Sequence, residues 1–146
     1  NMDTVFWKLD ANGYRLPTEA EWEYVARGGI LSKGYKYSGS NTVGEVTWYI
    51  GNAGNTIRAI GTKTANELGL FDMSGNVWEW CYDWRSSRYY SSSPVWVPLG
   101  PETGSSRVIR GGSWFNGAIS TRSANRSNGF PSGCDFNLGF RLCRTP

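Results

Sequence analysis

Residues 76–84, NVWEWCYDW, restrict the available folds more than any other stretch of this chain. Val77, Glu79, Cys81 and Asp83 alternate there with Trp78, Trp80, Tyr82 and Trp84, which is the period of a strand with one face built of aromatic rings. Ring surface of that size has to be covered, so the chain needs a core built around a sheet. Residues 107–110 and 139–143 are the other main strand candidates, and the short runs 46–50 and 57–60 suggest smaller ones. One helix is clearly marked. Thr18-Glu19-Ala20-Glu21 forms a capping box, Trp22, Val25 and Ala26 follow at helical spacing, Glu19, Glu23 and Arg27 face elsewhere, and Gly28-Gly29 supplies a left-handed exit. The expected class is α+β, with a small antiparallel sheet, few helices and much irregular structure.

Composition supports that class: 19 Gly, 8 Trp and 8 Tyr in 146 residues suit a loop-rich fold whose core relies on large rings. The length suits a single domain over residues 1–146. A formal charge of +3, with Arg107, Arg110, Arg122, Arg126, Arg141 and Arg144 dispersed among small and apolar residues, lacks the basic cluster of a nucleic-acid footprint. No apolar run is long enough for a membrane span, and no signal peptide opens the chain; its pattern starts within a few residues, so Asn1 reads as a boundary set by processing or cloning. Three Cys cannot all pair internally. A Cys81 to Cys143 disulfide and two buried free thiols both remain open, while Cys134 falls in an exposed loop.

The last third contrasts a fixed-looking frame with unrelated small side chains. Arg110-Gly111-Gly112-Ser113-Trp114 opens it, Arg122-Ser123-Ala124-Asn125-Arg126 stands in the middle, and Leu138-Gly139-Phe140-Arg141 closes it. Residues 115–121 and 127–137 between them follow neither a helical nor a strand period and have the composition of exposed loops, where recognition usually sits. Four apolar residues, Phe115, Ile119, Phe130 and Phe136, interrupt these polar stretches. Turned inward they are loop anchors; turned outward together they make a binding patch of the antibody kind. The outward arrangement would line one surface with Phe115, Asn116, Gly117, Ile119, Ser120, Ser127, Asn128, Gly129, Phe130, Ser132, Gly133, Asp135, Phe136 and Asn137.

YRLPTEAEWEYVARGG, GLFDMSGNVWEW, RVIRGGSW and GFRLCR, in that order, resemble the formylglycine-generating enzyme (sulfatase-modifying factor) family, whose fold is a C-type lectin variant. The likeness covers most of residues 14–144. The strand and helix that precede the first motif in the family are cut down here to residues 1–13. The resemblance implies that catalysis would need a copper-binding cysteine pair, and those cysteines align with Asn116 and Thr121. The iron-binding histidines of related sulfoxide synthases have no counterpart, since the chain contains no His. No enzyme and no catalytic cofactor are expected.

Within the same family, the resemblance extends to the variable proteins of diversity-generating retroelements, in which a segment from near RGGSW to near GFR is rewritten at adenines. Rewriting Asn codons there yields codons that exclude Lys, Glu, Gln, Met and Trp, and residues 115–137 contain none of the five. This implies a receptor-like domain with an unidentified protein or carbohydrate ligand, displayed on a cell or virus particle. A catalytically inactive member with a fixed ligand is the alternative. The resemblance also implies a structural calcium held by Asp72, Gly75, Val77 and Glu79, hard oxygen donors around a Gly-containing turn. The same residues equally suit a turn cap by Asp72 and an ion pair from Glu79 to a framework Arg.

Overall fold

A computed structural model describes residues 11–144; Asn1 lies outside them. Helix α1 spans Glu19–Ala26 and begins as its sequence dictates: the Thr18 hydroxyl accepts from the Glu21 amide, and the Glu21 side chain returns to the Thr18 amide. Gly28 and Gly29 leave it in the left-handed region, with φ of 91° and 56°. The main sheet has four strands in the order β4-β3-β2-β5, namely Arg126–Gly129, Arg107–Arg110, Trp78–Trp84 and Leu138–Gly139. β2 pairs antiparallel with β3, β3 antiparallel with β4, and β2 parallel with β5. A separate two-stranded ribbon joins β1, Tyr14–Arg15, to β6, Cys143–Arg144.

Both faces of β2 are covered. On one side Cys81 and Val108 pack with Trp22 and Ala26 of α1 and with Met73. On the other, Trp78, Trp80 and Ile109 pack with Leu16 and Leu138. The alternation read from the sequence is therefore real, but its non-aromatic face is internal too. Glu79 and Asp83 reach helix α1 there: Glu79 accepts from Trp22 Nε1 at 2.7 Å, and Asp83 accepts from the Glu19 amide at 2.6 Å.

Several expectations need correction. The sheet is mixed, because β5 returns parallel to β2. Residues 139–143 do not form one strand; their ends belong to β5 and β6 in different sheets. Residues 46–50 and 57–60 form no strand: Val43–Val46 is a single helical turn, α2, and Trp48 makes only an isolated bridge to Gly75. Glu19 does not face outward. It is buried between the guanidinium groups of Arg126, at 2.5 Å, and Arg110, at 3.6 Å, partners supplied by the last third of the chain. Cys81, Cys134 and Cys143 are all free; Cys81 is buried, whereas Cys143 is only partly covered.

Candidate ligand-binding surface

The frame residues of the last third position its irregular stretches. Arg110, fully buried, donates to the carbonyls of Ser123 and Asn125 and pairs with Glu23, so the turn before β4 is tied to helix α1. Arg126 then clamps Glu19 with two short bonds, which raises its own pKa. Gly112, at φ 73°, lets the chain pass close to the Ala118–Thr121 3₁₀ turn; a Cβ there would stand 2.8 Å from the Ser120 carbonyl oxygen. Ser113, also buried, receives a bond from Asn137 Nδ2 at 3.2 Å and donates to Asn116 Oδ1 at 2.5 Å. One hydroxyl thus links the two stretches.

The four apolar residues point outward. Phe115 is 51% exposed, Ile119 66%, Phe130 69% and Phe136 65%. Phe115 and Phe136 meet edge to face with centroids 5.8 Å apart, and Trp114 completes the cluster at 5.4 Å from Phe115 and 5.6 Å from Phe136. The stretches therefore converge on one face at this point. Phe130 stands apart from that trio, on the rim of a cavity of about 310 Å³ beneath the 130–137 loop. Asn128, Gly129, Gly133, Asp135 and Asn137 share that cavity. Gly117 and Ser132 lie at the surface, and Ser120 and Ser127 are partly covered.

Not every residue assigned to this surface is free of structural duty. Residues 127–129 are not loop; they belong to β4, where Ser127 pairs with Ile109, Asn128 with Val108 and Gly129 with Arg107. Gly129 packs against a ring, since a Cβ would lie 2.6 Å from Trp80. Asn116 combines its bond to Ser113 with a carbonyl that accepts the Ile50 amide at 3.0 Å. Ile109 and Leu138 also line that cavity, and Trp78 and Trp114, expected only in the scaffold, border the surface. The aromatic character of Trp114, next to Phe115, was the available signal.

The positions aligned with catalytic cysteines have plain structural roles. Asn116 is hydrogen-bonded as above, and Thr121 is buried with its hydroxyl donating to the Ala118 carbonyl. Of the actual thiols, burial pushes Cys81 well up and Cys143 up as well, away from the thiolate form.

The proposed calcium donors do not fit a cation in this arrangement. Asp72, Val77 and Glu79 share a cavity of about 390 Å³, and Asp72 Oδ1 is buried without a hydrogen bond among the described residues. However, the Glu79 carboxylate is held by Arg141 at 2.6 and 2.7 Å and by Trp22 at 2.7 Å. A cation would meet a guanidinium where calcium needs one of its six to eight oxygens. The ion-pair alternative for Glu79 matches this geometry. Asp72 caps neither Ser74 nor Gly75 but accepts the Gly61 amide at 2.8 Å.

Residues 3–146 match the model of the sulfatase-modifying factor enzyme 1-like domain. The chain belongs to that family. As a sulfatase-modifying factor-like domain, it is 40% identical over 145 residues to a formylglycine-generating enzyme of Streptomyces coelicolor, covering 88% of this chain and 46% of the relative. It is 38% identical over 165 residues to the chaperone protein LppX of Paenibacillus barcinonensis, covering 98% and 55%. Among solved structures, Treponema denticola variable protein 1 superposes with a TM-score of 0.90 at 41% identity, covering 98% of this chain and 52% of that one. The sulfatase-modifying factor-like chain thus spans about half the length of these relatives. The same likeness establishes the C-type lectin-like α+β fold.

Proposed function

We propose that this chain is a non-catalytic recognition domain, a variable protein of a diversity-generating retroelement, whose residues 115–137 carry the ligand-binding surface. The observation that carries the reading is the meeting of Phe115 and Phe136, twenty-one positions apart, as half-exposed rings on a frame of buried Arg and Trp residues. Aromatic residues among small polar ones concentrate binding energy in a few anchors. Likeness to a solved variable protein supports the same reading. Against catalysis stand Asn116 and Thr121 in place of the cysteine pair and the absence of His.

The ligand is a protein or a carbohydrate, and display on a cell or virus particle suits such a role. Nucleic acid does not suit it, because Arg110, Arg126 and Arg141 are engaged by Glu19, Glu23 and Glu79. No helix among the described residues is long and apolar enough to cross a membrane, and no insertion by this domain is proposed.

Two measurements test the reading. The encoding DNA should lie beside a reverse-transcriptase gene and a near-copy of codons 115–141 whose mismatches are confined to adenines. A near-copy without that bias, or none, favours the fixed-ligand alternative. Incubation with copper and a CxPxR sulfatase peptide should leave the peptide cysteine unchanged; its turnover-dependent conversion would reverse the assignment.

A further inference from the structure

The cavity beneath the 130–137 loop has a chemistry that selects among ligands. Its floor is Trp78, Ile109 and Leu138, one residue from each of β2, β3 and β5. Trp78 and Ile109 are almost wholly buried, so the floor is rigid and apolar. Asn128, Phe130 and Asp135 stand on the wall. At about 310 Å³ the space is at the lower end for ligand pockets, enough for one long side chain or one small ring.

Among the described residues, Asp135 is the only carboxylate on that wall. Its Oδ1 accepts the Phe136 amide at 2.8 Å, and no cation among the described residues pairs with it. An exposed ring, Phe130, shares the wall and offers a π surface to a cation. Apolar floor, carboxylate without a cationic partner and aromatic ring together match an amphipathic cationic side chain, whose methylenes are apolar and whose head is charged.

We propose that this pocket takes an arginine or lysine side chain of a protein ligand, with the stem over Trp78 and Leu138 and the charged head at Asp135. The proposal rests on the reading of residues 115–137 as a recognition surface. It adds to that reading a ligand class, a protein with an exposed basic residue.

Titration of the 146-residue protein with N-acetyl-arginine methylamide, followed by amide and indole NMR shifts, tests it directly. The Trp78 indole and the Asn128, Gly133 and Asp135 amides should move, with millimolar affinity as expected of a fragment. Asp135→Asn should weaken that binding about tenfold, as loss of one charge-assisted contact implies, and N-acetyl-norleucine methylamide should bind more weakly. Equal binding of the norleucine compound or of methyl glucoside, an unaffected Asp135→Asn, or no shifts at all overturns the proposal.

A peptide library panned on the same protein separates this failure from failure of the surface itself. Binders that require Phe115 and Phe136 but ignore Asp135 would leave the surface standing and remove the cationic pocket. Binders indifferent to simultaneous replacement of the exposed side chains of Phe115, Ile119, Phe130, Asp135 and Phe136 would remove both.

Discussion

Asp83 of strand β2 caps helix α1 from outside, its Oδ2 accepting the Glu19 amide at 2.6 Å while its Oδ1 is buried without a partner among the described residues. Burial pushes this carboxyl up to about 7, and the Glu19 and Glu21 charges act in the same direction against the amide bond. The folded protein therefore keeps a proton that the unfolded chain releases near pH 4. Stability linked to that proton is fully present below the unfolded value and is lost as pH rises to about 7. Urea midpoints should accordingly fall between pH 4 and pH 8, and the fall should shrink in Asp83→Asn. An equal fall in the variant would place the pH dependence elsewhere.

The two buried tryptophans on the aromatic face of β2 should dominate stability. Trp78 and Trp80 are each 8% exposed, so truncation of either to Ala should cost on the order of 3–5 kcal/mol. Ser120→Ala and Asn128→Ala should stay within about 0.5 kcal/mol. Denaturant melts of the four variants distinguish scaffold from surface; similar losses in all four would mean that the surface stretch is structural.

Gly129 and Gly117 should respond differently to the same change. A Cβ at Gly129 strikes the Trp80 ring, whereas nothing lies within 4 Å of one at Gly117. Gly129→Ala should cost about 1–3 kcal/mol by overpacking, and Gly117→Ala should be nearly neutral. Thermal melts of the pair suffice, and a neutral Gly129→Ala would show that the β4 edge can move off the ring.

Calcium should have no effect on the fold, because Arg141 occupies the carboxylate that the ion would need. Melting temperatures in excess calcium and in chelator should coincide. Arg141→Ala should cost about 3–5 kcal/mol, the range for leaving a buried carboxylate without its partner. A calcium-dependent rise in melting temperature would restore the metal site.

Local rules made parts of this molecule legible in its sequence. The capping box at Thr18 and the strand at 78–84 each follow from a few adjacent residues, whereas for Phe115, Ile119, Phe130 and Phe136 the sequence left inward and outward packing open and the fold turns them outward. Strand β4 was hidden because Ser127-Asn128-Gly129 has little β preference of its own; it is a strand because β3 offers its backbone as a template. The burial of Glu19 is invisible locally for a similar reason, its partner Arg126 being 107 positions away. The cavity floor could not be seen at all in the sequence, since it exists only where three strands lie side by side.

The division between that floor and its walls has a consequence for any repertoire built on this scaffold. Trp78, Ile109 and Leu138 all lie outside residues 115–137, while Asn128, Phe130 and Asp135 lie inside. Descendants differing across that segment would inherit one greasy socket and vary only its lip. If the segment is rewritten as proposed, the targets would differ in charge and shape yet share a taste for long, flexible, oily stems, a bias set by the unvaried floor before any selection begins.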